Sequence, residues 1–226
     1  MVKRQTAKEF IDQLNADPDY QRRMAEKERR RAKRQAAIDA AERPILADLR
    51  EIGVDLTQVS DLVNFFPPLP PNVVRILLEW LPRITHDNVL EMAVRALGAT
   101  EEPYDGRPLV GVFERTKSES VRWAIANTMA EARPTGISDW LREATPNRSS
   151  GMAREMLCLA VARLVLKDQA IPVLMSVLDD LPGHAARAIG EIGQQTELPR
   201  LRSKLPETSG WQRKELARAI RKIERR

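Results

Sequence analysis

The sequence has few of the residues from which covalent or metal frameworks are built. Its 226 residues include one cysteine, Cys158, and two histidines, His86 and His184. A single cysteine cannot form an intramolecular disulfide, which excludes a disulfide-stapled scaffold and favours a reducing compartment. None of these three residues has the spacing typical of a zinc site. The sequence therefore predicts no metal site and no cofactor.

Aromatic residues and long apolar runs are also scarce. Aromatics make up only 4% of the chain, and the longest apolar run, residues 156–162, is far too short to span a bilayer. The first residues lead into no apolar core of a signal peptide. An excess of Ala, Leu and Arg over aromatic and β-branched residues favours helices. We therefore expect a cytoplasmic, all-α protein with no membrane partner.

The motifs that usually accompany catalysis are missing. The sequence has no glycine-rich phosphate loop, no nucleophile elbow and no Cys/His pair. The two acidic pairs, residues 101–102 and 179–180, fall at predicted loops or helix ends, where carboxylates are usually solvated. The prediction is a protein that is not an enzyme.

Positive charge is concentrated at the two ends of the chain. Residues 22–34 contain eight basic and two acidic residues, and residues 213–226 contain seven basic and two acidic residues. Since the net charge of the whole chain is +5, the rest of it is acidic. The run at 22–34 has three interpretations: a solvated helix, an arm that docks on a partner, or a contact with phosphates or nucleic acid. It lacks the interleaved aromatics that stack on single strands.

The first 71 residues divide into an arm and a connector. Residues 1–52 predict a charged helical arm, with a short helix at 6–14 and a long one from about 18 to 50, in which Pro44 should introduce a kink or a restart. Residues 53–71 predict a Pro-rich connector with a short helix at 60–63. Pro71 suits the first position of the next helix.

Residues 72–226 predict helix pairs with a repeating pattern. Apolar residues recur at helical spacing, and Pro108, Pro172 and Pro199 each lie near the start of a first helix. The predicted first helices are 72–82, 106–116, 135–144, 169–179 and 196–205, and the second helices are 87–98, 119–132, 151–166, 183–193 and 210–224. Aligning the second helices on Val89, Val121, Met156, Leu181 and Gln212 gives intervals of 32, 35, 25 and 31 residues. This recurrence predicts an all-α fold, a short α-solenoid of about five helix pairs preceded by a long charged N-terminal helix.

Three segments within these pairs carry a family resemblance. They are Arg95-Ala-Leu-Gly98, Val121-Arg122 and Arg187-Ala-Ile-Gly190. They resemble the second helix of the HEAT-like repeat family, in the short form found in phycobilisome-lyase-type repeats, over residues 72–226. The family's arginine after the first valine is kept at Arg122 and Arg213, and it is replaced at Leu90, Leu157 and Pro182. The resemblance implies the solenoid and leaves the function open.

On that resemblance, the second helices line a concave groove in which partners lie. The third and seventh positions of the aligned second helices are then the candidate binding residues: Glu91, Arg95, Trp123, Asn127, Arg187, Lys214 and Arg218. Cations with one aromatic suit an acidic or extended peptide. The leading hypothesis is a non-enzymatic scaffold or adaptor that binds a protein or peptide.

Two other functions stay open. Some HEAT-like proteins resemble DNA glycosylases of alkylated purines, which need a basic groove with an aromatic and a carboxylate at its centre. Here only Trp123 with Asp139 or Glu91 could supply that pairing. A repeat-type lyase that seats a tetrapyrrole is a third class, but no residue specifies that ligand. Because the body of the chain is acidic, we expect weak binding of duplex DNA at about 0.15 M salt.

Overall fold

The computed structural model describes residues 6–65 and 68–226, and these residues form thirteen α-helices joined by short loops and 3₁₀ turns. No β-strand occurs among them, and one isolated bridge pairs Asp105 with Thr135. The helices pack against one another as a solenoid-like array. The all-α prediction is confirmed.

Two helices make up the N-terminal segment. They are α1 (Ala7–Ala16) and the 34-residue α2 (Pro18–Glu51). Asp17 caps α2, its side-chain oxygen accepting a hydrogen bond from the backbone N–H of Asp19 at 2.8 Å, and Pro18 is the first helical residue. The restart predicted at Pro44 is wrong, because α2 continues through that residue. Pro44 and Ala40 are both exposed, so water can reach the carbonyl that loses its partner.

The predicted pairs of helices are present from residue 71 onward. The first helices are α4 (Pro71–Trp80), α6 (Arg107–Arg115), α8 (Ser138–Ala144), α10 (Lys167–Ser176) and α12 (Leu198–Lys204). The second helices are α5 (Asp87–Ala96), α7 (Glu119–Ala132), α9 (Arg154–Leu164), α11 (Pro182–Ile192) and α13 (Gly210–Glu224). Successive second helices pack directly on one another, which makes one continuous layer.

The hydrophobic core begins before the first pair. One cluster of buried side chains runs from Ile45 in α2 to Ile223 in α13, and it includes residues of the connector and of the short helix α3 (Asp61–Phe65). The indole N–H of Trp80 donates to Asp48 of α2 at 2.6 Å, just as Trp140 of α8 donates to Glu114 of α6 at 3.1 Å. The end of α2 thus takes the place of a first helix and covers the N-terminal end of the stack.

Two arginines show that the register of the third pair differs from the sequence alignment. The guanidinium of Arg122 donates from Nε to the carbonyl oxygen of Thr116 at 3.0 Å, and that of Arg154 donates to Thr145 at 2.9 Å. Thr116 and Thr145 each follow directly after a first helix. Arg154 is therefore the counterpart of Arg122, and the third second-helix aligns on Ala153 instead of Met156. The misalignment arose because a 3₁₀ turn at Arg148–Ala153 stands where the sequence predicted the start of the helix.

Small residues let the second helices approach closely. A Cβ atom added at Gly190 of α11 would lie 3.0 Å from the Cβ of Ala219 in α13. The hydroxyl of Thr128 in α7 donates to the carbonyl oxygen of Val94 in α5 at 2.9 Å, and Ala126 is fully buried. Successive second helices therefore lie close together along their shared layer.

Candidate partner-binding groove

The first three candidate residues meet at one point on the second-helix layer. Arg95 donates from two guanidinium nitrogens to one oxygen of Glu91, one turn earlier on α5, at 2.9 and 2.7 Å. Its guanidinium carbon lies 5.6 Å from the ring centre of Trp123 on α7, in a cation–π contact. All three side chains are half-buried. Glu91 therefore neutralises Arg95 and holds it over an indole that remains partly accessible to solvent.

Asn127 extends this cluster by one turn along α7. Its side chain is half-buried and has no hydrogen-bond partner within residues 6–65 and 68–226. An amide offers two donors and one acceptor to whatever lies beside it. Asn127 is thus able to bind the backbone of an extended peptide next to Trp123.

The remaining three candidates lie at the other end of the layer. Arg187 on α11 and Lys214 on α13 are exposed and have no carboxylate partner in the described chain. Arg218 donates to Glu215 at 2.9 Å. Arg187, Arg218 and Lys222 line a cleft between α11 and α13 together with the carboxylates of Glu191 and Glu215, and Lys214 lies outside this lining. The candidate residues thus fall into two separate candidate sub-sites, one around Trp123 and one formed by Arg187, Lys214 and Arg218 on α11 and α13.

Sequence reasoning missed the arginine that connects the two sub-sites. Arg163 on α9 donates to both carboxylate oxygens of Glu191 on α11 at 3.1 and 3.2 Å, and to Glu131 and the carbonyl of Ala130 on α7. Hydrogen bonding to Glu191 raises the pKa of Arg163. Glu131, Arg163 and Glu191 are separated by 32 and 28 residues, and this spacing could have indicated the series of ion pairs. The wrong alignment of the third helix pair prevented that inference.

A second group missed from the sequence surrounds His184. Its Nε2 lies 3.7 Å from a carboxylate oxygen of Glu155, and its ring centre lies 4.6 Å from that of Trp211. Burial lowers the pKa of His184, although the charge of Glu155 acts in the opposite direction. Trp211 lies over Gly183, where an added Cβ would come within 2.3 Å of the indole. His184 is thus a half-buried residue that packs against Trp211.

The carboxylates that could take part in catalysis either lie in a different layer from Trp123 or form ion pairs with basic side chains. Asp139 lies on α8 in the first-helix layer, where it pairs with Arg142 at 2.6 Å, and the other proposed partner of Trp123, Glu91, is bound by Arg95. In the acidic pair at 179–180, hydrogen bonds from Lys204 lower the pKa of Asp179, and those from Arg148 lower the pKa of Asp180. A general acid needs the opposite shift.

The described part of the chain contains no group of three or more His, Cys, Asp or Glu side chains that could hold a metal ion. Cys158 is buried in α9, and burial raises the pKa of its thiol to about 12, so it packs as an apolar residue. Within residues 6–65 and 68–226, no helix is both long and apolar enough to cross a membrane.

Comparison with known proteins adds no relative. No protein-family model, no curated protein and no solved structure matches this chain. The resemblance to HEAT-like repeats thus remains a prediction from the residues quoted above.

Proposed function

We propose that this protein is a non-enzymatic, cytoplasmic adaptor that binds an acidic, extended peptide segment along its second-helix layer. The observation that carries the proposal is the arrangement of that layer. A partly accessible indole, Trp123, lies at one sub-site, and the exposed cations Arg187 and Lys214, which have no carboxylate partner among the described residues, lie at the other. An aromatic anchor and unpaired cations on one continuous surface fit a partner that is acidic over part of its length.

The ion pairs within the groove favour a peptide over a nucleic acid as the molecule that binds there. Arg95, Arg163 and Arg218 are each neutralised by a carboxylate on the same layer. A nucleic acid bound along this surface would meet those carboxylates, and repulsion would oppose the contact. A short acidic segment can instead contact the two unpaired cations and reach the indole with an apolar side chain.

The test is a selection of binders from a random peptide library displayed on phage, followed by affinity measurements on a selected peptide. We expect peptides rich in Asp and Glu with one apolar residue. Replacing Trp123 and Arg187 with Ala should weaken binding by about 30-fold or more for each residue, since central Trp and Arg residues typically contribute 2 kcal/mol or more.

The matched control replaces a tryptophan and an arginine of the first-helix layer. Trp140→Ala with Arg75→Ala removes the same side chains from α8 and α4, and it should change the affinity by less than about threefold. Thermal melts of both double variants report whether the fold is kept. Selected peptides that bind the Trp123/Arg187 variant as well as the wild type would contradict the proposal.

A further inference from the structure

The first part of α2 is a single helix that carries a dense positive charge. Every residue from 18 to 37 is exposed except Tyr20 and Met24, which are half-buried. The helix first packs against the core at Ile38. Two of the cations have acidic partners on the same helix, since Arg22 pairs with Asp19 and Arg30 with Glu26. The other six of the eight have no carboxylate partner within the described residues.

The cations occupy one broad side of this helix. At about 100° per residue, the eight basic residues of 22–34 lie within roughly 200° of the circumference, from Arg29 at one edge to Arg31 at the other. The remaining sector holds only small, amide, acidic or thioether side chains, such as Ala25, Glu28 and Ala32. Arg23, Lys27, Arg30, Arg31 and Arg34 form a ridge that runs from the middle of the charged side to its edge at Arg31. We call residues 18–37 the basic arm.

We propose that the basic arm binds duplex DNA by lying in the major groove. B-form DNA has a major groove about 12 Å wide that admits an α-helix and has phosphates along both walls. Cations spread over about 200° can reach both walls at once, while the sector without cations faces outward. Six of the eight are arginines, whose planar guanidinium groups suit phosphate oxygens.

Other occupants fit the arm less well. Docking of a helix on a protein groove uses apolar anchors at helical spacing, and the basic arm has none between Met24 and Ile38. Insertion into a lipid surface also needs an apolar face. The deep, narrow major groove of A-form RNA does not admit a helix. B-form DNA is therefore the polyanion that the shape of the arm favours.

The acidic body of the protein has little effect on this contact. Arg31 lies about 10 Å along the helix from Ile38, and Arg30, Lys27 and Arg23 lie farther out, while Arg34 lies about 6 Å from Ile38. Charges beyond the Debye length of about 8 Å at 0.15 M salt are largely screened. The expectation of weak binding at that salt still holds, because phosphate contacts alone give dissociation constants of roughly 10⁻⁴ to 10⁻⁶ M.

The test is fluorescence anisotropy of the full chain with a labelled 20-bp DNA duplex of mixed sequence. About five phosphate contacts predict a slope of log K against log salt near −4.5, which amounts to roughly a 500-fold loss of affinity between 50 and 200 mM salt. Replacing Arg23, Lys27, Arg30, Arg31 and Arg34 with Gln should reduce binding at 50 mM by at least about 30-fold and flatten the slope. These side chains are exposed, so the variant should keep its fold, and a thermal melt checks this.

Two controls distinguish binding of the arm in the major groove of DNA from attraction by positive charge alone. Replacing Arg213, Lys214, Arg218, Arg221 and Lys222 of α13 with Gln removes the same charge at the other end of the chain and should change the affinity by less than about threefold. Glu26→Gln and Glu28→Gln each remove one negative charge, but Glu26 lies within the cationic side and Glu28 lies opposite. We expect only Glu26→Gln to strengthen binding, by a few-fold.

Several results would overturn the proposal. They are equal losses in the α2 and α13 variants, equal gains from the two Glu→Gln changes, no binding at 50 mM salt, or tighter binding to duplex RNA of the same sequence. Arm-dependent binding to vesicles with 30% phosphatidylserine, without binding to DNA, would assign the arm to lipid. Because the arm and the groove share no residue, failure here leaves the peptide-binding proposal intact, and the reverse also holds.

Discussion

Side chains of minimal size decide how closely the second helices approach. Gly190 faces Ala219 across the α11–α13 contact, and its missing Cβ would lie 3.0 Å from that residue. Ala126 occupies a fully buried position in α7. Interiors are close-packed, so even one added methyl group at such a contact must displace a neighbouring helix. The stability of the helix stack therefore depends on side chains at these positions being no larger than a hydrogen atom at Gly190 and a methyl group at Ala126.

Gly190→Ala should lower the free energy of unfolding by about 1–2 kcal/mol, because the added methyl group overpacks the helix contact. Gly111→Ala is the matched control. Gly111 lies within α6, and an added Cβ there would meet nothing within 4 Å, so alanine should stabilise the helix by about 0.5–1 kcal/mol. Urea unfolding of the two variants checks the signs. Stabilisation by both changes would mean that α11 and α13 are farther apart than described.

Overpacking at Ala126 should have a similar effect in the middle of the stack. Ala126→Leu should destabilise the fold by roughly 1–3 kcal/mol, because the larger side chain has no free volume at a fully buried site. The measurement is the thermal unfolding midpoint. A midpoint equal to that of the wild type would show that Ala126 faces solvent.

At the scale of elements, a single carboxylate organises the link between α2 and α3. Asp61 accepts hydrogen bonds from the backbone N–H and hydroxyl of Thr57, and from the backbone and side-chain N–H groups of Gln58, at 2.8–3.1 Å. Burial by itself would raise the pKa of Asp61, but these hydrogen bonds outweigh it and hold the pKa below its usual range. The connector therefore has a fixed structure without regular helix before residue 61.

Asp61→Asn should lower the free energy of unfolding at pH 7 by about 1–3 kcal/mol, because an amide leaves some of these donors without an acceptor. A depressed folded-state pKa stabilises above the unfolded pKa of about 3.9, and the effect is lost as the pH falls through the folded-state value. The difference in unfolding free energy between wild type and variant should thus narrow as the pH falls below about 5, until the pH has passed the folded-state pKa. The free energy of unfolding is measured for wild type and Asp61→Asn, and again for both proteins with Glu42→Gln added. The second comparison is needed because burial raises the pKa of the neighbouring Glu42, which also titrates. A constant gap would contradict the role assigned to the charge.

At the scale of the whole molecule, the chain combines a closely packed stack with one extended helix. The end of α2 covers the stack at Trp80, and the basic arm continues beyond it with almost no contact except to α1. The two proposed binding surfaces, the groove and the arm, therefore lie on separate parts of the fold. A protein built in this way could hold a peptide partner and DNA at the same time.

Limited digestion with trypsin should cut first between Arg22 and Arg34. The arm has many exposed Lys and Arg residues and few buried apolar contacts, so it opens locally at little cost in free energy. Mass spectrometry of the early fragments gives the sites. First cleavage within residues 120–200 would contradict this prediction, because that region lies within the packed stack of helices.

The sequence by itself determined the all-α class, the five pairs of helices and the exposed basic arm. Each of these follows from local rules, since helical spacing of apolar residues, prolines at helix starts and a lack of apolar residues all act within a few turns. The candidate residues Glu91, Arg95 and Trp123 could be proposed together because the repeat alignment places them at the third and seventh positions of neighbouring second helices.

Only the tertiary structure decided the register of the third pair and the continuity of α2 through Pro44. The counterpart of Arg122 is Arg154, and contacts across 26 to 33 residues, such as those of Arg154 with Asp180 and Arg163 with Ala130, reveal that register. Such contacts depend on how helices stack, which the loops between them determine. Since a short 3₁₀ turn and a helix start have similar local sequences, spacing alone could not distinguish them.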